Sequence, residues 1–152
     1  MLFMIYSEPE YNKAFNFILP GLTITFLSTF ISFIIALFLG LISGIGRISK
    51  NKFARTISRT YIEFIRGVPV LILIFTIAFV VVVRAAEFFN INNGNVPMLV
   101  RAIIALSVFY GAYIAEVFRA GIESVPVGQR EGGASLGLSE RQVMRHIVLP
   151  QA

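Results

Sequence analysis

Residues 14–46 read AFNFILPGLTITFLSTFISFIIALFLGLISGIG, and these 33 residues, bounded by Lys13 and Arg47, contain no charge. An α-helix rises about 1.5 Å per residue and the hydrocarbon core of a bilayer is about 30 Å thick. The run is therefore longer than a crossing requires. Pro20 and Gly21 suit a helix entrance, which places the first crossing at about 20–46, with tilt or overhang. The run is too long for the apolar part of a signal peptide. Its flank carries Glu8 and Glu10 with only Lys13, the wrong charge for a cleaved leader.

Composition agrees. The 152 residues are 57% hydrophobic and 14% charged, with a mean hydropathy of +0.81, against about 45–50% and about 25% in soluble domains. Disorder is excluded, and a water-soluble globule is disfavoured. Cys, Asp and Trp are absent, so disulfides, cysteine zinc sites and thiol nucleophiles are excluded too. The single histidine, His146, cannot form a histidine metal cluster. It stands between Arg145 and Ile147 with no Asp in the chain to orient it, and reads as a solvated surface residue rather than a catalytic base. No phosphate-binding loop pattern occurs, so ATP is not hydrolysed on this chain. It is not expected to be an enzyme or to hold a cofactor or metal.

A second charge-free run covers 67–83, 17 residues of mostly aliphatic and β-branched character. Arg66 and Arg84 at its ends can snorkel outward, and an unpaired strand cannot exist in lipid, so a helix over about 61–84 is expected. The third run, 102–115, has only 14 uncharged residues. Completing a span over about 97–120 takes in Arg101, Glu116 and Arg119. The simplest account has Arg101 snorkelling to one surface while Glu116 pairs with Arg119 at the other. A role for Tyr113, Glu116 and Arg119 along a substrate pathway is the weaker reading.

Charge sets orientation. Six Lys or Arg fall in 47–66 and four in 117–152, against Lys13, Arg84 and Arg101 on the other side. The positive-inside rule puts the N-terminus outside and the C-terminal segment in the cytoplasm. The net charge of +5 is thus topological, and no nucleic-acid partner is implied. Gly40 and Gly44, with Gly46 after them, form a small-residue pattern for close helix packing, and Gly111-Ala112 is a similar spot in the third span. Residues 90–95 are a polar turn, and there is no internal repeat.

Residues 123–150 differ from everything before them. Pro126 suits a first helical turn, a short helix is expected over 128–136, and Gly137 breaks it. Ser139 and Gln142 have capping-box spacing with Leu138 and Val143 beside them, so a second helix starts at Ser139 and stops before Pro150.

Glu131-Gly132-Gly133, then Gly137, then Ile147-Val148-Leu149-Pro150 resembles the "EAA" loop of permease subunits in binding-protein-dependent ABC importers. Residues 61–69, with Tyr61, Arg66 and Pro69, resemble the element before the second core helix in the polar amino-acid (histidine-, glutamine- and arginine-type) subfamily. Residues 112–122 and 128–131 are similar to the same subfamily. The resemblance implies an all-α polytopic membrane protein with a cytoplasmic coupling helix. Glu131, Gly132, Gly133, Gly137 and Leu138 would contact a separate ATPase subunit that holds ATP and Mg, with Pro150 closing the motif. Further implied partners are a second permease subunit, identical or not, and an extracytoplasmic amino-acid-binding protein, in a bacterial inner membrane. Two departures stand out. The family's two alanines are Gly132 and Gly133 here, which weakens the helix. The chain also resembles only the first two-thirds of a five-helix core, so the alternative is a truncated subunit that docks the ATPase without completing a pathway.

Overall fold

The computed structural model of the protein describes residues 9–152; Glu8 and the residues before it lie outside them. Helix α1 (Pro9–Ile48) is 40 residues long. It contains Pro20 rather than starting there. Proline removes one backbone donor, that to the Asn16 carbonyl, a loss that membrane helices tolerate. The Thr23 and Thr25 hydroxyls bond within the helix beyond it, to the Leu19 carbonyl at 3.1 Å and the Gly21 carbonyl at 2.8 Å.

The helix expected over 61–84 is two helices. Amphipathic α2 (Lys52–Gly67) is capped by Asn51, whose side chain accepts from the Phe53 N–H at 2.9 Å, and it buries Ile62 and Ile65. It ends because Val68 precedes a proline. Ring crowding drives that residue out of the helical region, and Val68 sits extended at φ −101°, ψ 139°. Pro69 then leads into α3 (Val70–Phe88), apolar enough to span a membrane. A π-turn at Ile77–Val81 interrupts α3.

A polar turn with Asn90 at φ 56° leads to α4 (Met98–Ser124). Helices α1, α3 and α4 are the three spans, and α4 runs past the expected 120. They meet on small residues. A Cβ on Gly40 would lie 2.5 Å from Ile114 Cγ2, and one on Gly44 would lie 3.0 Å from the Ala115 carbonyl. Those two glycines let the α1 and α4 backbones touch. On the other side of α4, Leu73, Ile77, Ala78 and Val82 of α3 bury against Ala105, Phe109 and Ala112. The remaining face of α1 is left outward, with Phe17 87% and Phe26 74% exposed, as suits contact with lipid.

Helix α5 (Val127–Ser135) and a final helix α6, beginning at Glu140–Val143 and continuing as the π-turn Met144–Val148, complete the described residues. They pack onto the basic end of the spans. Val143 and Val148 bury with Ile122 and Val125, and Ile48, Leu138, Met144 and Ile147 surround them. The helix pair is therefore joined to the ends of both α1 and α4.

Candidate functional site

Two structures converge at the basic end of the spans: a helix–glycine–helix segment and an arginine cluster. The segment is built by local hydrogen bonds. The Leu138 N–H reaches the Gly133 carbonyl at 3.2 Å and the Gly137 N–H reaches Ala134 at 3.0 Å. This is the Schellman closure of a helix end, which needs a left-handed residue at its apex. Gly137 supplies it at φ 78°, a conformation that a side chain would strain. Two residues later the chain starts again. The Gln142 side chain accepts from the Ser139 N–H at 2.9 Å, and the Ser139 hydroxyl accepts from the Gln142 N–H at 3.4 Å. Exposed His146 holds the Gln142 carbonyl through Nδ1 at 3.0 Å.

The residues singled out in this segment divide between two faces. Glu131, Gly132, Gly137 and Pro150 are exposed, while Gly133 is buried and Leu138 half-buried. Gly132 has open space where a Cβ would be. A Cβ on Gly133 would collide with the tip of Ile147 and lie 3.1 Å from Val143 Cγ2. The two glycines thus have different reasons to be small. Leu138 belongs to the inner packing. The apolar side chain presented outward at the turn is Leu136, 83% exposed, which the sequence reading did not single out. Lys50, just past α1, meets the segment in an exposed ion pair with Glu140 at 2.6 Å, a contact worth little on its own.

The arginine cluster centres on Glu116. Arg119 donates to it at 2.5 Å, as its helical spacing allows, but Arg47 at the end of α1 also donates at 2.7 Å. Arg66 from α2 completes the set at 3.7 Å. One carboxylate therefore joins the ends of α1, α2 and α4. Arg119 extends the chain of charge to Glu123, and the Arg66 guanidinium lies 5.4 Å above the Tyr113 ring. Residues 47 and 66 are 69 and 50 positions from Glu116, beyond any local spacing rule. The only sequence sign was that all four charges sit at the same end of their helices.

Tyr61 anchors α2 to α4. Its hydroxyl donates to the Val108 carbonyl at 2.6 Å, and Gly111 makes room, since a Cβ there would lie 2.9 Å from that oxygen. Burial pushes the Tyr61 phenol up to about 12, so it stays a donor across the ordinary pH range. Tyr113 is exposed, and its ring lies tilted at 49° to that of Phe109, with centroids 4.9 Å apart.

The chain is similar to known proteins over most of its length. Residues 37–152 match the family model described as the binding-protein-dependent transport system inner membrane component. The chain is 38% identical over 137 residues to the glutamate transport system permease protein GluD of Corynebacterium glutamicum, covering 90% of this chain and 48% of that one. It is 32% identical to the histidine/lysine/arginine/ornithine transport system permease protein HisQ of Escherichia coli, covering 88% and 60%. A crystal structure of an amino acid ABC transporter with histidines superposes at a TM-score of 0.79 and 31% identity, over 93% of this chain and 63% of its own. The chain thus spans about half the length of the curated relatives it matches. With the family model matched over residues 37–152, the chain belongs to the family of binding-protein-dependent transport system inner membrane components.

Proposed function

We propose that this chain is the membrane-spanning part of an ABC importer subunit for polar amino acids, in which α5 and its Gly137 turn couple a separate ATPase to the spans. The observation that carries this reading is mechanical. The segment is sealed by Val143 and Val148 onto Ile48 and Ile122, so a push on α5 reaches the ends of α1 and α4 together. Glu116 links those ends to α2. The exposed face offers Glu131 for a cationic groove and Leu136 for an apolar one. ATP and Mg bind on the ATPase subunits, the segment faces the cytoplasm and the N-terminus lies outside, in keeping with the ten-to-three distribution of Lys and Arg. A second permease subunit, an extracytoplasmic amino-acid-binding protein and membrane lipid complete the assembly. Relatives named for glutamate and for histidine, lysine, arginine and ornithine support the substrate class.

These 152 residues hold no cysteine, so an introduced one is unique among them. In the full permease complex, Leu136→Cys is expected to cross-link to the ATPase subunit, with a yield that changes when ATP is bound. Val117→Cys, exposed on α4, serves as the control. Equal labelling of both positions, with no ATPase adduct at 136, would overturn the proposal.

A further inference from the structure

The basic end of the spans encloses a cavity of about 470 Å³, open to solvent, with four arginines in its wall: Arg47, Arg55, Arg119 and Arg130. One wall carboxylate, Glu123, faces them, and Glu116 lies behind Arg47 and Arg119. Two cations are therefore in excess, and they can be identified. Arg47 and Arg119 are held by Glu116 and Glu123. The Arg55 side chain has no ion-pair or hydrogen-bond partner among the described residues, its backbone N–H alone being bonded, to Asn51. Arg130 gives one nitrogen to the Ile122 carbonyl, but its Nε is buried and without a hydrogen-bond partner among the described residues. A buried guanidinium N–H with no acceptor is costly. The position of the cavity narrows what supplies one. Its wall includes Ile48 and Ile122, in the last turns of spans α1 and α4, the depth at which lipid phosphates lie. Guanidinium groups match phosphate oxygens in geometry and charge, and basic pockets between span ends take anionic headgroups.

From this geometry we infer that the cavity is a phosphate-binding site, in which Arg55 and the Arg130 Nε complete the coordination of a phosphate group from an anionic phospholipid headgroup or a free phosphate. Bound there, the anion would bridge α2, through Arg55, to the start of α5, through Arg130. The inference does not depend on what the protein transports, and binding alone tests it.

The full permease complex, in nanodiscs of phosphatidylcholine with a minor fraction of phosphatidylglycerol, is released into native mass spectrometry and its retained lipids are counted. The variant is Arg55→Gln, which breaks no side-chain hydrogen bond or ion pair among the described residues. Arg130→Gln is the second. Each arginine near a headgroup contributes about 1 kcal/mol, so each substitution should lower phosphatidylglycerol retention about five-fold. Retention that falls in both variants and resists inorganic phosphate assigns the headgroup. Inorganic phosphate that binds lipid-free complex in an Arg55-dependent manner assigns the free anion. Equal retention in wild type and both variants, with no phosphate binding, would overturn the site.

Discussion

Arg47 and Glu116, 69 positions apart, meet at 2.7 Å, and that contact makes a shared anchor of a pair that helical spacing alone would keep within α4. Both side chains are about a quarter exposed, so the interaction is neither a screened surface pair nor a fully desolvated one. Its weight comes from sharing. Glu116→Gln removes the partner of three arginines at once and leaves them crowded together. It should cost about 2 kcal/mol, more than Arg47→Gln or Arg66→Gln alone. Thermal unfolding of the permease in nanodiscs would show it; equal losses for all three variants would mean that the arginines do not share the carboxylate.

The two glycines of α5 should respond in opposite ways. Gly132 is exposed with nothing near a Cβ, so Gly132→Ala gains helix propensity of about 1 kcal/mol. Gly133→Ala gains the same propensity but drives Ile147 and Val143 outward, an overpacking cost of about 1–3 kcal/mol. Hydrogen exchange over 127–135 should slow in the first variant and quicken in the second. In wild type the same amides should be poorly protected until the ATPase binds. Full protection in the isolated permease would count against a helix that orders on docking.

What the sequence shows about this segment is bounded by distance along the chain. The capping box of Ser139 and Gln142 and the left-handed Gly137 follow from contacts within five residues, and local spacing reveals them. The break between α2 and α3 was also local, since Val68 stands before Pro69. The charge-free run after Arg66 drew the expected helix straight through it. The distinction between Gly132 and Gly133 depends on Ile147, which only folding brings near. The arginine cluster is the same case on a larger scale. A carboxylate at a membrane edge announces that it needs partners, but not that two of them come from other helices.

Tyr61 offers a test through pH. Its phenol ionises near 10 when exposed and near 12 in the fold. Between these values the unfolded chain loses the proton first, so unfolding is favoured as pH rises. The contribution is complete below pH 10, declines from there to 12, and is constant beyond. Tyr61→Phe should lose about 1 kcal/mol at neutral pH, by removing the donor to Val108. It should also lack part of the alkaline decline, read as the difference between the two stability–pH curves. Parallel curves would place the phenol in water.

Glu131 separates coupling from folding. Its side chain is exposed and has no ion-pair or hydrogen-bond partner among the described residues, while its backbone carbonyl accepts from the Ser135 hydroxyl at 2.9 Å. Glu131→Arg therefore changes no packing, and stability should stay within about 0.5 kcal/mol of wild type. If a cationic groove on the ATPase receives that carboxylate, reversing the charge places like charges face to face across the docking surface. ATP hydrolysis should persist while uptake of the amino acid falls at least ten-fold, and membrane insertion should be unchanged. Glu140→Arg, whose carboxylate already serves Lys50 within the chain, should instead loosen the segment and lower stability with smaller effect on the ratio of uptake to hydrolysis. If Glu131→Arg transports at the wild-type rate, the outward face of α5 is not the surface through which ATP acts.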